Sequence, residues 1–314
     1  MTTAISHPAP LPDVSIVLPT LNGEAHLREL LPAIQAQRGA GEIEIVAIDS
    51  SSRDASVSLL KEFGARVFSI ASSEFGHGKT RNWGVQLARG EIVVFLSQDA
   101  LPVGQNWLCE LVSPLQNHEV GATFARQLPR EGATPFEKHL HFYLYGPRSR
   151  KYQWRQGREL ELRKLFFSNV CSAARREVCL RFPFDQTRIM SEDQFFARDL
   201  LTSGLAIVYN ARCEVRHSHS YDLGALFRRN FDSGHSLRDL GNEKWQRRIA
   251  TALRFWSSAA FYTAGHRHWK WLLFLPLYEA TRLVALISGS QAERLPLRWR
   301  RALSLHRSFW DNRQ

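Results

Sequence analysis

The residues of this chain best placed to do chemistry are carboxylates that follow apolar runs. Asp99 comes just after Glu91-Ile-Val-Val-Phe-Leu96, so its side chain would emerge where a strand ends. A hard cation such as Mg²⁺ or Mn²⁺ takes carboxylate oxygen together with phosphate oxygen, and Asp99 offers the first of these; capping a helix is the other use of an aspartate there. Asp193 is the second acid of Glu192-Asp193, at the start of the helix-patterned Ser191–Leu201. Carboxylates there either stabilise the positive end of the helix or, for one of them, act as a general base. His217 and His219 are two residues apart and share a face if that stretch is extended. His77 and Arg81 lie in a glycine-flanked loop, Phe75–Asn82. An arginine fork there suits phosphate oxygens, and a solvated basic loop is the alternative.

Elements that would position these residues alternate in type. Val14–Leu18 and Glu42–Ile48 are β-rich runs, followed by Ala65–Ile70 and Glu91–Leu96. Between them Leu27, Leu30, Leu31 and Ile34 recur at helical spacing, Ala55–Phe63 ends at Gly64, and Thr80–Ala88 ends at Gly90. Such alternation predicts βαβ units and a mostly parallel sheet, with ligands outside the carboxyl ends of its strands. The residues at those ends are Thr20 and Asn22, Asp49, Ser51 and Asp54, Ser72–His77, then Gln98 and Asp99. No GxGxxG or GxxxxGK[ST] segment accompanies them. Acidic strand ends repel a bare diphosphate and suit a uracil or thymine edge, a ribose diol and a divalent cation. Further on, Arg148–Lys164 is polar with loop character, Leu165–Ala174 is apolar and small, and Leu205–Tyr209 is a further strand; after Tyr221 the pattern is helical.

Six segments then agree in order and spacing: Ser15-Ile-Val-Leu-Pro-Thr-Leu-Asn22, Ile48-Asp-Ser-Ser-Ser-Arg-Asp54, Phe75-Gly-His-Gly-Lys-Thr-Arg-Asn82, Phe95-Leu-Ser-Gln-Asp-Ala100, Ser191-Glu-Asp193 and His217-Ser-His219. Over Val14–Gly234 the chain resembles the family 2 glycosyltransferases of the GT-A fold, and among them the bacterial rhamnosyltransferase-like branch. The resemblance implies a Rossmann-like α/β domain that binds a nucleotide sugar, with Asp99 on a divalent metal at the donor diphosphate. The family usually shows Asp-x-Asp at this point; Gln98-Asp99-Ala100 lacks one acid and is the usual form in the rhamnosyltransferase-like branch. By the same resemblance Asp193 is the general base of an inverting transfer, Asp49 contacts the nucleobase or ribose, and Thr20 and Asn22 line the same pocket. Ser51, Gln98, His77 and Arg81 join the donor site, and His219 completes the metal sphere. The implied donor is dTDP-rhamnose, with a UDP-hexose or UDP-hexosamine as the alternative within the class. A nucleotidyltransferase would carry a glycine- and basic-rich triphosphate loop, which Pro19-Thr-Leu-Asn-Gly23 lacks.

Composition divides the chain. Hydrophobic content of 44% with 23% charged residues is ordinary for a folded domain. From Ala225 to Gln314 there are 16 Lys and Arg against 6 Asp and Glu, a surplus of ten in a chain whose net charge is +11. Six of the nine tryptophans lie in that same segment. A basic, tryptophan-rich third suits an anionic surface, and an acceptor built on a lipid carrier would explain it. Packing of a helical subdomain or a homodimer interface is the alternative. Nucleic acid fits poorly, because no zinc-finger, RNP or helix-turn-helix pattern accompanies the charge. The expected organisation is a disordered lead-in over 1–12 and a GT-A domain over 13–224, split into a nucleotide-sugar half (13–100) and an acceptor half (101–224). A helical extension over 225–314 follows. The N-terminus has no secretory pattern. Trp271–Tyr278, the best apolar run, is broken by Glu279 and Arg282, so no spanning segment is expected. The four scattered cysteines read as reduced thiols. Together these place the protein in the cytoplasm, peripheral at the inner face of the membrane.

Overall fold

The computed structural model describes residues 13–157, 160, 162–240 and 245–311; the lead-in expected over 1–12 lies outside them. The first half alternates as expected: β1 (Val14–Thr20), α1 (Glu24–Gln35), β2 (Ile43–Asp49), α2 (Ser56–Glu62), β3 (Arg66–Ser69), α3 (His77–Leu87) and β4 (Ile92–Leu96). There follow β5 (Leu101–Pro102), α4 (Trp107–Val112), β6 (Val120–Leu128), α5 (Pro135–Leu144), β7 (Arg150–Tyr152), β8 (Cys171–Arg175), α6 (Arg176–Arg181), α7 (Glu192–Thr202) and β9 (Ala206–Arg216). The C-terminal part holds α8 (Leu223–Leu237), α9 (Trp245–Gly265), α10 (Trp269–Ser290), α11 (Leu297–Leu303) and α12 (Arg307–Asp311).

The strands form one mixed sheet in the order β3-β2-β1-β4-β8-β6-β9-β5, with β7 on β9. Its first four strands are parallel. Both faces of β1 are covered, which is why Val14, Ile16, Val17 and Leu18 read as one apolar run rather than alternating. Leu27, Leu30, Leu31 and Ile34 are the buried stripe of α1. Antiparallel pairing of β4 with β8, Leu96 opposite Cys171, carries the sheet into its second half. All four cysteines are free, and Cys171, Cys179 and Cys213 are buried.

Four sequence expectations are corrected. Helix α3 starts at His77, not Thr80, so His77 and Arg81 sit on a helix rather than in a loop; Thr80 N–H closes the first turn on Gly76 O at 2.8 Å. Strand β9 runs on to Arg216 and delivers His217 directly; its polar residues past Tyr209 hid it, although Cys213 and Val215 are fully buried. The polar stretch after Arg148 contains β7, an edge strand with exposed Arg150 and Lys151. Finally, α10 continues unbroken through Glu279 and Arg282 for 22 residues, and is long and apolar enough, by length and composition, to cross a membrane. The two charges do not interrupt it because they pair with each other at 2.8 Å, and the guanidinium lies over Phe255 of α9.

Helices α8 and α10 cross almost backbone to backbone. A Cβ on Gly234 would land on the carbonyl oxygen of Leu286, and one on Gly289 on that of Phe231. We predict that Gly289→Val destabilises the protein by about 1–3 kcal/mol through overpacking. Thermal unfolding measures this, with Gly265→Ala, where added volume meets open space, leaving the midpoint nearly unchanged.

Candidate active site

Asp99 follows β4 at the ligand edge of the sheet, and β9 brings His217 and His219 to it. Asp99 Oδ2 lies 3.5 Å from His217 Nε2 and 3.4 Å from His219 Nε2. One ligand atom from each of the three residues falls within 4.8 Å of the others, close enough to share one cation. His217 Nδ1 faces Gln127 Oε1 at 3.1 Å. An amide oxygen only accepts, so Nδ1 carries a proton, and Nε2 is the nitrogen that faces Asp99. Burial opposes the charge on Asp99, but the hydrogen bond and charge of His217, with His219 behind them, hold its carboxyl well below the usual range. Burial, and then the neighbouring His217, lower the His219 pKa and keep that ring neutral, the form that ligates metal. The sequence reading favoured His219; the structure gathers both histidines.

Asp193 is the second residue of α7, whose first residue, Glu192, follows Ser191 in the left-handed conformation (φ 61°). Its Oδ2 accepts the Asn169 N–H at 3.2 Å and its Oδ1 the Gln194 N–H at 2.9 Å. Burial, reinforced by the adjacent Glu192 charge, pushes its pKa up to about 7. Glu192 is itself buried, accepting from Arg81 Nη1 at 2.7 Å and from Asn169 Nδ2 at 3.4 Å. Arg81, read from sequence as a phosphate contact, is therefore engaged elsewhere: its side chain is 9% exposed and locks α3 to α7. Asn82 adds a second tie, donating to Phe184 O at 2.8 Å and accepting from Phe184 N–H at 2.9 Å.

Asp193 and the Asp99–His217–His219 cluster are joined by short steps. Ser97 N–H, two residues before Asp99, donates to Val170 O, the residue after Asn169. Gln127 holds His217 with its oxygen and donates from Nε2 to Ser168 Oγ at 2.9 Å. Sequence reasoning missed Gln127 and Asn169, because a lone amide has no spacing signature.

At the other end of the edge, Asp49 is buried, and its Oδ2 accepts the Ser51 and Ser52 N–H groups at 3.1 and 3.0 Å. Its Oδ1 is buried with no hydrogen-bond partner among the described residues, an acceptor free for a ligand. Thr20 is buried beside it in register, Thr20 opposite Asp49. Asn22 (φ 45°) accepts the Arg53 N–H on Oδ1, and Ser51 (φ 69°) donates to Ile70 O. Gln98 clasps Leu21, accepting its N–H and donating to its carbonyl, each at 3.0 Å. Both ends of that amide thus hold the loop after β1. Asp54 caps α2 through Ser56 and accepts the Glu24 N–H, an Asx role. His77 packs edge-on against His306, ring centroids 5.1 Å apart. Leu305 and His306 donate their N–H groups to Asp232 on α8, which holds His306 where it meets His77 at the start of α3.

Residues 15–181 match the profile described as Glycosyl transferase family 2. Along nearly its whole length the chain is similar to the O-antigen chain rhamnosyltransferase WbaN of Salmonella anatum, with 31% identity covering 97% of this chain and 98% of that one. It is likewise similar to the O-antigen chain rhamnosyltransferase RfbN of Salmonella typhimurium, with 28% identity over 96% and 97%. Its backbone is similar to that of the mannosyltransferase PcManGT from Pyrobaculum calidifontis, solved in complex with GDP-Man and Mn²⁺, at a TM-score of 0.55 with 19% identity, over 92% of this chain and 78% of that one. Fold and site together define a glycosyltransferase of the GT-A fold. The chain belongs to glycosyl transferase family 2.

Removing Arg81 would strand Glu192 as an unpaired buried charge. Arg81→Leu is expected to destabilise the fold by about 3–5 kcal/mol, read from denaturant unfolding; a loss below 1 kcal/mol would show the pair to be dispensable.

Proposed function

We propose that this chain is an inverting, metal-dependent glycosyltransferase that moves L-rhamnose from dTDP-rhamnose to a glycan or lipid-linked glycan of a bacterial surface polysaccharide. The observation that carries the reading is a carboxylate poised as a base, Asp193, joined through Asn169, Val170 and Gln127 to the Asp99–His217–His219 cluster. The nearly full-length similarity to two O-antigen chain rhamnosyltransferases supports rhamnose. The free Oδ1 of Asp49 suits the N3–H of thymine or uracil.

Two imidazole nitrogens and one carboxylate oxygen fit Mn²⁺ better than Mg²⁺, which prefers all-oxygen shells. When bound, such an ion supplies positive charge to the departing diphosphate. Asp193 takes the proton of the acceptor hydroxyl as its oxygen bonds to the anomeric carbon, while the bond to the diphosphate breaks and its electron pair leaves with dTDP. One displacement at one face inverts the configuration. A base whose pKa is raised to about 7 is matched to transfer near neutral pH.

Thermal unfolding with dTDP-rhamnose, UDP-glucose or UDP-N-acetylglucosamine, each with MnCl₂ or MgCl₂, tests the donor. The expected result is selective stabilisation by dTDP-rhamnose with Mn²⁺; stabilisation by a UDP-sugar alone would remove rhamnose. Asp193→Asn should keep that stabilisation while turnover falls about 10²–10⁴-fold. Because Asp193 works ionised, wild-type turnover should rise with pH to a plateau above about pH 7; a profile flat down to pH 5 would exclude it as the base.

We further propose that the enzyme sits on the inner face of the cytoplasmic membrane through its C-terminal helices. On α10, Leu273, Leu277, Val284 and Ile287 form an exposed stripe, with Leu273 85% exposed. Phe261 on α9 and Phe142 on α5 are exposed as well, 80% and 66%. Arg254, Arg267 and Lys270 on and between the same two helices are exposed, and charge combined with apolar area suits anionic headgroups. α10 is seated on the protein along its other side, through Leu275, Ala285 and Gly289, which favours lying in the interface. Flotation with phosphatidylglycerol vesicles should recover the protein, less so in high salt, and Phe261→Asp with Leu273→Asp should release it. Absence of flotation, or a dimer in solution that these substitutions dissociate, would overturn the membrane reading.

A further inference from the structure

Between the catalytic domain and α10 lies a cavity of about 280 Å³ lined by Thr134, Glu137, Tyr221, Trp271, Phe274 and Tyr278, with Asp222 and Leu223 at its edge. Its place relative to the metal cluster is fixed by rings: Tyr221 lies 5.6 Å from His219, whose Nε2 is 3.4 Å from Asp99. The volume is near the lower limit for small-ligand pockets, about 300 Å³, enough for one sugar ring and not for an extended chain.

The lining has the chemistry of a sugar site. Trp271, Phe274 and Tyr278 stand on one side of α10 at i, i+3 and i+7, pack around Phe136 and line the cavity, an aromatic surface of the kind that receives the C–H face of a pyranose. Glu137 on α5, 6% exposed, is part of the same lining. Its Oε2 is committed, accepting the Thr134 N–H and the Ser220 hydroxyl, both at 2.8 Å. Its Oε1 is buried with no hydrogen-bond partner among the described residues. A buried carboxylate oxygen left open is costly, and a sugar hydroxyl is the donor that satisfies it.

We propose that this cavity is the acceptor subsite, binding the terminal sugar of a lipid-linked glycan, with its ring on the α10 aromatics and a hydroxyl donated to Glu137 Oε1. The same helix explains why the acceptor is lipid-linked. Its 271–274–278 side lines the cavity, while the Leu273–Leu277–Val284 stripe on another side is exposed. A sugar in the cleft thus has its lipid carrier alongside an apolar surface. This assignment rests on the glycosyltransferase reading above.

The test is ligand-observed saturation-transfer NMR on the full chain with dTDP and MnCl₂, using methyl α-L-rhamnoside, methyl α-D-mannoside and methyl α-D-galactoside as probes. At least one glycoside should show saturation concentrated on one ring face in the wild type. Glu137→Gln keeps the Thr134 capping box, in which Gln replaces Glu, but turns an acceptor into a donor. It and Trp271→Ala should each reduce the glycoside signal at least five-fold while dTDP signals stay unchanged. Equal glycoside signals in wild type and variants, or no glycoside signal beside strong dTDP signals, would overturn the subsite. Loss of dTDP signals in the variants would place the cavity in the donor site instead, and overturn it equally. A wild type that binds none of the nucleotides fails the glycosyltransferase reading, an outcome separable from the others.

Discussion

The buried ion pair between Arg81 and Glu192 is the constraint on which the arrangement of the site depends. It joins α3, which flanks the donor half of the sheet, to the first turn of α7, which carries Asp193. Removing two charges from water is unfavourable, and a pair is tolerated in the interior only where further hydrogen bonds satisfy it. Asn169 provides one to Glu192 from its side chain, and its backbone N–H meets Asp193. The consequence is electrostatic as well as geometric. Burial raises the affinity of the Asp193 carboxyl for a proton, the adjacent Glu192 charge adds to it, and the Arg81 charge limits the rise. The pair thus bears on both the placement of the Asp193 carboxyl and its affinity for a proton.

A second constraint couples Asp193 to the Asp99–His217–His219 cluster. Strand β8 pairs antiparallel with β4, so the turn before β8 and the end of β4 meet at one edge. Ser97 and Val170 close that meeting with a backbone hydrogen bond. Gln127 spans the same gap from β6, one end of its amide on His217 and the other on Ser168. Being 5% exposed, it has no water to replace either partner, so the His217 tautomer and the Ser168 turn are set together. Left-handed backbone at Asn22, Ser51 and Ser191 lies at these same edges, where strain of about 1–3 kcal/mol per residue is held by surrounding contacts.

Much of this was legible in the sequence, for identifiable reasons. Apolar runs ending in an acid gave the parallel strands and the positions of Asp49 and Asp99, because the period of a buried strand is visible locally. The Glu192-Asp193 pair and the two histidines were visible as residue types. What failed was employment. Arg81 and Gln98 have side chains suited to ligands, but their partners, Glu192 and Leu21, are 111 and 77 residues away in the chain. Nothing local announces that. Strand β9 was cut short for a related reason: Asn210, Arg212 and Glu214 interrupt its apolar pattern, while Glu214 is paired with Arg126 on the neighbouring β6. Glu279 and Arg282 were read as a break in α10, when mutual pairing lets the helix run through them.

The C-terminal part shows how composition acquires meaning only through packing. Its positive charge is a property of the sequence, but Arg229 has a specific place. Its guanidinium acts on His77, His219 and His306, adding to burial in keeping all three rings neutral. Asp232, on the same helix, holds the backbone of Leu305 and His306, and Trp310, 1% exposed, anchors the tail against His235. Glycines at the α8–α10 crossing let α10 approach closely enough to present Trp271 and Tyr278 to the catalytic domain. Cation, tail and aromatic wall all depend on α8 staying in place. The extension therefore packs against the catalytic domain as well as presenting a surface, and the tryptophans and arginines that look uniform in the sequence divide between the two.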